Sequence, residues 1–196
     1  MSQVEVEVKI RVEHRRFLAL LGEAGYSPSL SGPVLQEDTF FDWPDLRLLR
    51  SGSALRVRRE DGSVLITFKG PRSRGPEKRR VEVEGPLGSP EAAEALRLAG
   101  LEVPSPPLSP AALEELLLSR GLKPILTVRK ERRTAVLENG LRLALDRVAG
   151  LGEFVEVEGE GALEFVRSIG LLDLAVEETY AELLLAKEGL DSPLLE

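Results

Sequence analysis

The stretch Val4-Glu5-Val6-Glu7-Val8-Lys9-Ile10 decides the fold, because its apolar and charged residues alternate without a break. Successive side chains of a β-strand point to opposite faces, so the charged residues share one face and the apolar residues share the other. The alternation returns farther along the chain and predicts a sheet with one apolar face and one charged face. It occurs in Leu55-Arg56-Val57-Arg58, Ile66-Thr67-Phe68-Lys69, Arg80-Val81-Glu82-Val83-Glu84 and Val155-Glu156-Val157-Glu158.

The composition is that of a folded globular chain, with 42% hydrophobic and 30% charged residues. A length of 196 residues suits one large domain or two small ones. The net charge of −7 argues against a nucleic-acid-binding protein, which normally carries a basic surface. No apolar run is long enough to span a membrane, and the charged N-terminus does not resemble a signal peptide. We therefore expect a cytoplasmic protein that binds neither nucleic acid nor membrane.

The residue types exclude several kinds of chemistry. The chain has no cysteine, which rules out thiol catalysis, disulfides and thiolate metal sites. Its one histidine, His14, makes a histidine-rich zinc site or a Ser-His-Asp triad implausible. A metal would have to be held by oxygen ligands, which favours Mg²⁺, Mn²⁺ or Ca²⁺. The scarcity of thermolabile residues favours a thermophilic source, although a GC-rich genome would produce the same bias.

Turn and capping signals divide the chain into short elements. Asp61-Gly62 and Asn139-Gly140 are typical two-residue hairpin turns, and Ser89-Pro90 and Ser109-Pro110 are typical helix starts. Residues 43–53 are predicted to be irregular. The proline-rich segment near 102–110 is interpreted as a surface crossover within a single domain of residues 1–188, followed by a tail of residues 189–196. Strands are predicted at 3–12, 36–42, 54–60, 63–69, 78–85, 125–137, 141–148 and 153–158, and helices at 14–24, 90–98, 110–120, 161–169 and 177–188.

The charged faces can be interpreted in two ways. A sheet with one solvated face is the default for antiparallel strands. However, the predicted helices have apolar stripes that must cover the apolar strand faces from outside, which favours a closed or nearly closed barrel with a charged lumen. Its inward cations would be Lys9, Arg56, Arg58, Lys69, Arg80, Lys130 and Arg132, and its inward anions Glu5, Glu7, Glu82, Glu84, Asp146, Glu156 and Glu158.

Buried charges are costly unless they are paired, so internal salt bridges are one use for these residues. A second use is a bound metal–polyphosphate complex. Arginine has a planar fork that matches phosphate oxygens, whereas crowded carboxylates such as those of Glu5, Glu7 and Glu158 favour a divalent cation.

The motifs, taken in order, resemble the CYTH superfamily, the triphosphate tunnel metalloenzymes. The resemblance spans roughly residues 3 to 185. It implies an α+β fold built on a closed eight-stranded antiparallel barrel that binds a triphosphate together with Mg²⁺ or Mn²⁺. The motifs are Glu5-x-Glu7-x-Lys9, Gln36-x-Asp38-Thr39-x-Phe41, Ala54-Leu55-Arg56-x-Arg58, Thr67-x-Lys69-Gly70, Arg80-x-Glu82-x-Glu84, Lys130-x-Arg132, Leu145-Asp146, Leu151-Gly152-Glu153-Phe154-Val155-Glu156-Val157-Glu158 and Tyr180-Ala181-Glu182-Leu183-Leu184.

The resemblance also implies roles for individual residues. Phosphate oxygens would be bound by Lys9, Arg56, Arg58, Lys69, Arg80, Lys130 and Arg132. Metal would be held by Glu5, Glu7, Asp146, Glu156 and Glu158, supported by Glu82 and Glu84. Lys9, Glu7, Arg58 and Lys69 are the candidates for catalysis, with Lys9 either binding phosphate or acting as a base.

Three functions follow from this set of residues. The first is hydrolysis of tripolyphosphate, thiamine triphosphate or a nucleoside triphosphate, and it is preferred because hydrolysis requires only that the polyphosphate be held. The second is a class IV adenylyl cyclase that converts ATP to cyclic AMP and pyrophosphate, which must also grip adenine. The third is a polyphosphate-binding module without turnover.

Several other residues are expected to have structural roles. His14 is predicted to be solvated at the start of the first helix. Tyr26 and Trp43 are predicted to pack or to anchor loops. Leu113, Leu116, Leu117 and Leu118 are predicted to face the core or an interface. Members of the resembled family are often dimers, and exposed leucines in the last helix are expected to permit a homodimer.

Overall fold

The computed structural model describes residues 3–103, 105, 107 and 109–188. Its strands are β1 Gln3–Ile10, β2 Val34–Asp42, β3 Ala54–Glu60, β4 Ser63–Lys69, β5 Glu77–Pro86, β6 Lys123–Val136, β7 Arg142–Val148 and β8 Gly152–Glu158. Its helices are α1 His14–Glu23, α2 Arg47–Arg50, α3 Pro90–Leu98, α4 Pro110–Ser119, α5 Ala162–Ser168 and α6 Tyr180–Lys187, with a short 3-10 helix at Leu172–Leu174. The predicted tail, residues 189–196, lies outside the described residues.

The eight strands form a closed barrel in the order β1-β5-β4-β3-β2-β6-β7-β8, and every pairing is antiparallel. Strand β1 closes it by pairing with β5 on one side and with β8 on the other. Strands from both sides of the proline-rich segment therefore belong to the same barrel. The predicted α+β fold with a closed eight-stranded antiparallel barrel is confirmed.

The helices cover the outer faces of the strands in two separate apolar clusters. Phe17 of α1 and Val166 of α5 pack over the outward side chains of β1, β7 and β8, such as Val155. Leu96 of α3 and Leu117 of α4 pack over β3, β4 and β5. Along these strands, the apolar side chains therefore point outward against the helices, and the charged side chains that alternate with them point into the lumen.

A third cluster lies where α6 meets the barrel interior. Tyr180 of α6 packs with Val128, Val148 and Phe154, and Leu183 and Leu184 pack against the same group. The backbone N–H of Val176, just ahead of α6, donates to the carbonyl of Lys9 at 2.8 Å, which ties this segment to the end of β1. The leucines predicted to be exposed for dimer formation are half-buried against the barrel.

Two local expectations were wrong. Residues 43–53 contain α2, whose backbone N–H groups at Leu48 and Leu49 donate to the Asp42 carboxylate at 3.1 and 2.9 Å. His14 is half-buried rather than solvated, because its backbone N–H donates to Glu153 at 2.7 Å and its Nε2 lies 3.0 Å from the carbonyl oxygen of Phe154. The predictions for Tyr26 and Trp43 are confirmed, since Tyr26 packs edge-on against Phe165 and Trp43 Nε1 donates to the Arg120 carbonyl.

Among the described residues, no helix is long and apolar enough to cross a membrane.

Candidate active site in the barrel lumen

The barrel encloses a cavity of about 870 Å³ that is lined by the predicted site residues. Arg58 and Glu158, which an open sheet would have shown to solvent, both face it. Asp146 lies behind the lining and is fully buried. The other members of the predicted set that line the cavity are Glu5, Glu7, Lys9, Arg56, Lys69, Arg80, Glu82, Glu84, Lys130, Arg132 and Glu156. The structure therefore brings the whole predicted set to one place, whereas the role of each residue stays a prediction.

Strand register determines which charges are neighbours at the closure of the barrel. Glu7 lies opposite Glu158, and Lys9 lies opposite Glu156, across the β1–β8 pair. Glu5 lies opposite Arg80 across the β1–β5 pair. Directly opposed side chains in an antiparallel pair are close. The β1–β8 junction that closes the barrel, called the seam here, therefore brings together the carboxylates of Glu5, Glu7, Glu156 and Glu158.

Three of these carboxylates are paired with cations, whereas Glu158 is not. Glu5 accepts from Lys69 at 3.1 Å and from Arg80 at 2.8 Å, and Glu7 lies 3.5 Å from the ammonium of Lys78. Within the described part of the chain, Glu158 forms no ion pair. Burial and the charge of Glu156 raise the pKa of Glu158 to about 7. The carboxylate of Glu158 therefore titrates near neutral pH.

Arg58 and Arg56 lie near Asp38 on the neighbouring strand β2. Arg58 donates two hydrogen bonds to Asp38, at 2.6 and 2.8 Å, and Arg56 lies 3.5 Å from the same carboxylate. Arg56 also donates to Glu84 at 2.7 Å. Burial acts to raise the pKa of Asp38, but the two guanidinium groups outweigh it and hold that pKa below its usual range.

Asp146 is the centre of a second buried network. It accepts from Arg132 at 2.7 Å, from Lys130 at 3.3 Å and from the hydroxyl of Tyr180 at 2.9 Å. Arg132 also pairs with Glu156. Burial opposes the ionisation of both acids, but Lys130 and Arg132 outweigh it, so the pKa of Asp146 is lowered and that of Glu156 lies well below its usual range. Both acids are therefore ionised at neutral pH.

Two lysines of the lumen have lowered pKa values. Burial and the adjacent ammonium of Lys78 lower the pKa of Lys9 to about 7. Burial and the charge of Arg132 lower the pKa of Lys130 to about 8. A lysine that titrates near pH 7 can either carry charge to a phosphate or accept a proton.

Sequence reasoning missed three residues that belong to this site: Lys78, Asp38 and Tyr180. Lys78 is 1% exposed, and its face of β5 could have been read from its spacing to Arg80 and Glu82. Asp38 was part of a quoted motif, but the run Asp38-Thr39-Phe40-Phe41 does not alternate and gives no face. Tyr180 reaches the lumen from a helix, so no strand pattern could have assigned it.

The predicted metal ligands are all carboxylates: Glu5, Glu7, Asp146, Glu156 and Glu158. Carboxylate oxygens are the ligands that Mg²⁺ and Mn²⁺ prefer, so these side chains suit a hard divalent cation. The crowding that raises the pKa of Glu158 is the kind of electrostatic conflict that such an ion relieves. In the described residues, however, no three acidic or histidine side chains already surround one point as metal ligands. Instead, these acids form internal ion pairs with lysines and arginines. A metal bound to them would take the place of those cations.

The closed barrel with its charged lumen is a tunnel fold, and comparison with known proteins identifies the family. The CYTH domain profile matches residues 3–164, and the chain belongs to this family. It is 26% identical over 156 residues to the protein named "Putative adenylate cyclase MJ0240" of Methanocaldococcus jannaschii, covering 79% of this chain and 76% of that one.

Solved structures share the barrel. The PH1819 protein of Pyrococcus horikoshii OT3 superposes with a TM-score of 0.69 and 27% identity, covering 93% of this chain and 99% of that one. HpAC1 of Hippeastrum, described as a putative adenylyl cyclase with a dominant triphosphatase activity, superposes with a TM-score of 0.60. It is 20% identical, covers 98% of this chain and 99% of its own, and shows likeness of fold alone.

Proposed function

We propose that the protein is a divalent-metal-dependent triphosphatase that hydrolyses a triphosphate bound in the barrel lumen. The supporting observation is the enclosed cavity, into which arginine and lysine side chains project from β1, β3, β4, β5 and β6. Phosphoryl transfer depends mainly on positioning the substrate and neutralising its charge. A lumen lined with arginine and lysine side chains can do both. No covalent nucleophile is required.

The phosphate oxygens would be bound by the cations that line the cavity: Lys9, Arg56, Arg58, Lys69, Arg80, Lys130 and Arg132. Each arginine of this set is already aligned by a carboxylate, as Arg58 is by Asp38 and Arg80 by Glu5. Glu82 and Glu84 lie 2.8 Å from Lys69 and 2.7 Å from Arg56, respectively, so their supporting role is to hold these two cations in place. Pre-aligned donors lose little conformational entropy when a substrate arrives.

Glu5, Glu7, Glu156, Glu158 and Asp146 would hold Mg²⁺ or Mn²⁺. A bound divalent ion supplies charge neutralisation and lowers the pKa of an attacking water. Because Glu5 and Glu7 now pair with Lys69, Arg80 and Lys78, a metal on these acids would release cations for phosphate.

Lys9 would bind a phosphate oxygen when it is charged and is also the candidate for proton transfer when it is neutral. A base works best when its pKa lies near the working pH, and burial brings the pKa of Lys9 to about 7. Of the four residues assigned to catalysis, Arg58 and Lys69 would stabilise charge on the transferred phosphoryl group. Glu7, opposite Glu158, would act through the metal.

Adenylyl cyclase activity is the second candidate, and the name of the Methanocaldococcus jannaschii relative favours it. In that reaction the ribose 3′-hydroxyl attacks the α-phosphorus of ATP and pyrophosphate leaves. The same lumen would serve, with the substrate seated differently.

The test is incubation of the protein with tripolyphosphate, thiamine triphosphate and ATP, each with Mg²⁺ or Mn²⁺. Orthophosphate supports the triphosphatase, cyclic AMP with pyrophosphate supports the cyclase, and binding without product indicates a binding module. Arg58→Ala should abolish turnover, whereas Arg59→Ala, on the outer face of the same strand, should not. Absence of any product in the unmodified protein, or equal rates in both variants, would overturn the proposal.

A further inference from the structure

The ring of Tyr180 faces two lysines of the lumen. The Lys9 ammonium lies 4.3 Å from the ring centroid, and the Lys130 ammonium lies 5.1 Å from it. Tyr180 is 7% exposed and is the first residue of α6. Two cations from different strands therefore share one aromatic side chain.

An aromatic ring attracts an ammonium group without neutralising it. Elsewhere in the lumen, cations are held by carboxylates, which an arriving phosphate must displace. Lys9 forms no ion pair within the described part of the chain, and Lys130 shares the Asp146 carboxylate with Arg132. The ring thus holds Lys9 in place without a carboxylate partner that an arriving phosphate would have to displace.

We propose that Tyr180 is a positioning residue of the tunnel, whose ring supports Lys9 and Lys130 together so that both can engage the triphosphate. This inference rests on the proposed function. It assigns the site a residue from the C-terminal helix, in addition to those from the strands.

The position of the ring is fixed from several sides. Its hydroxyl donates to Asp146 at 2.9 Å, and its edge packs against Phe154 with ring centroids 5.2 Å apart. The helix start is held by a capping box between Thr179 and Glu182. Glu182 in turn accepts from Arg72 of the β4–β5 loop at 2.7 Å. The ring is therefore held firmly enough to orient two flexible side chains.

The alternative is that Tyr180 is only a packing residue of the third cluster. Phe154 provides the matched control, because it belongs to the same cluster, and in Phe154→Leu an apolar side chain still lies beside the ring while the hydrogen bond to Asp146 continues to hold it. A packing role predicts similar effects of Tyr180→Leu and Phe154→Leu. A positioning role predicts an effect on triphosphate binding in the first variant only.

The first experiment measures tripolyphosphate affinity by calorimetry and the separate kcat and KM of hydrolysis. We expect Tyr180→Leu to weaken binding and raise KM about tenfold. Phe154→Leu should change the melting temperature without this change in KM. Tyr180→Phe retains the ring and should bind tripolyphosphate with nearly the affinity of the unmodified protein. Equal losses in Tyr180→Leu and Phe154→Leu, or equal losses in Tyr180→Leu and Tyr180→Phe, would overturn the proposal.

The second experiment observes the lysines directly, without substrate. The chain has six lysines, so the εCH₂ signals of a selectively labelled sample can be assigned by single substitutions. Protons above a ring face are shielded, and we expect two upfield signals in the unmodified protein, retained in Tyr180→Phe and lost in Tyr180→Leu. If the protein neither binds nor hydrolyses a triphosphate, the proposed function fails; if it does both and the upfield signals are absent, the inference about Tyr180 fails alone.

Discussion

Glu7 and Glu158 lie directly opposite each other across the strand pair that closes the barrel. Glu7 has a cation partner in Lys78, whereas Glu158 has none in the described residues. Two neighbouring carboxylates at a buried seam make the closure of the barrel electrostatically unfavourable unless a proton or a metal ion is present.

Glu158→Gln should stabilise the protein above neutral pH. The pKa of Glu158 rises from 4.5 to about 7 in the folded state, so protonation favours folding. The contribution is present at low pH and is lost as the pH rises through about 7. Denaturant unfolding at pH 8 should show a gain of about 1–3 kcal/mol over the unmodified protein, shrinking toward pH 5. The control Glu138→Gln, on an exposed turn, should show no such trend.

Glu7→Gln should strongly reduce phosphate release in a protein that still folds but is less stable, because Lys78 loses its carboxylate partner. The amide keeps the shape of the side chain but removes the charge that would hold a metal. We expect at least about a hundredfold fall in kcat/KM, and a higher Mn²⁺ concentration for half-maximal rate. Glu23→Gln, at the exposed end of α1, is the matched control. A normal rate in the Glu7 variant would remove it from the site.

Asp38→Asn should destabilise the barrel in a pH-dependent manner. The substitution leaves Arg58 and Arg56 without their shared carboxylate, and breaking a buried pair costs about 3–5 kcal/mol. Because the folded state lowers the pKa of Asp38, this stabilisation is present at neutral pH and is lost as the pH falls below about 4. Unfolding curves should therefore converge in acid. A constant difference at every pH would contradict the assigned cause.

Arg72→Met should loosen α6 without disturbing the barrel. Its ion pair with Glu182 is largely buried, at 23% and 5% side-chain exposure. Arg79 offers a matched control, since its pair with Glu160 has similar geometry but 43% and 74% exposure. Hydrogen exchange of the α6 amides should speed up by about tenfold or more in Arg72→Met and change little in Arg79→Met. Equal effects would show that the buried pair does not anchor the helix.

The barrel and most of its lining could be predicted because strand alternation is a local signal. In β1, β3, β5 and β8 the period-two pattern places charged side chains on one face, and the covering helices show which face is outside. Lys78 follows the same rule and was missed only because it stands next to a predicted loop. These residues required no knowledge of tertiary contacts beyond strand pairing.

The rest depends on contacts that the sequence does not encode locally. The pairing of Arg58 with Asp38 depends on the β2–β3 register, and Asp38 lies where the alternation breaks down. Tyr180 reaches Lys9 only because α6 packs at the end of β1. The helix α2 forms because the Asp42 carboxylate caps it, and it contains only four residues, too few for a periodic pattern.

Strand β1, which precedes the other seven strands, is also the one that closes the barrel, because it pairs with β5 and with β8. During synthesis, Glu5, Glu7 and Lys9 emerge well before Glu156 and Glu158, and their surroundings form only when those residues arrive. Pairing between distant parts of a chain is slow, since a long loop has to close first. A chain that lacks β8 therefore has only half of the acidic seam, and the complete cluster of carboxylates should form in the same step as the final cooperative folding transition.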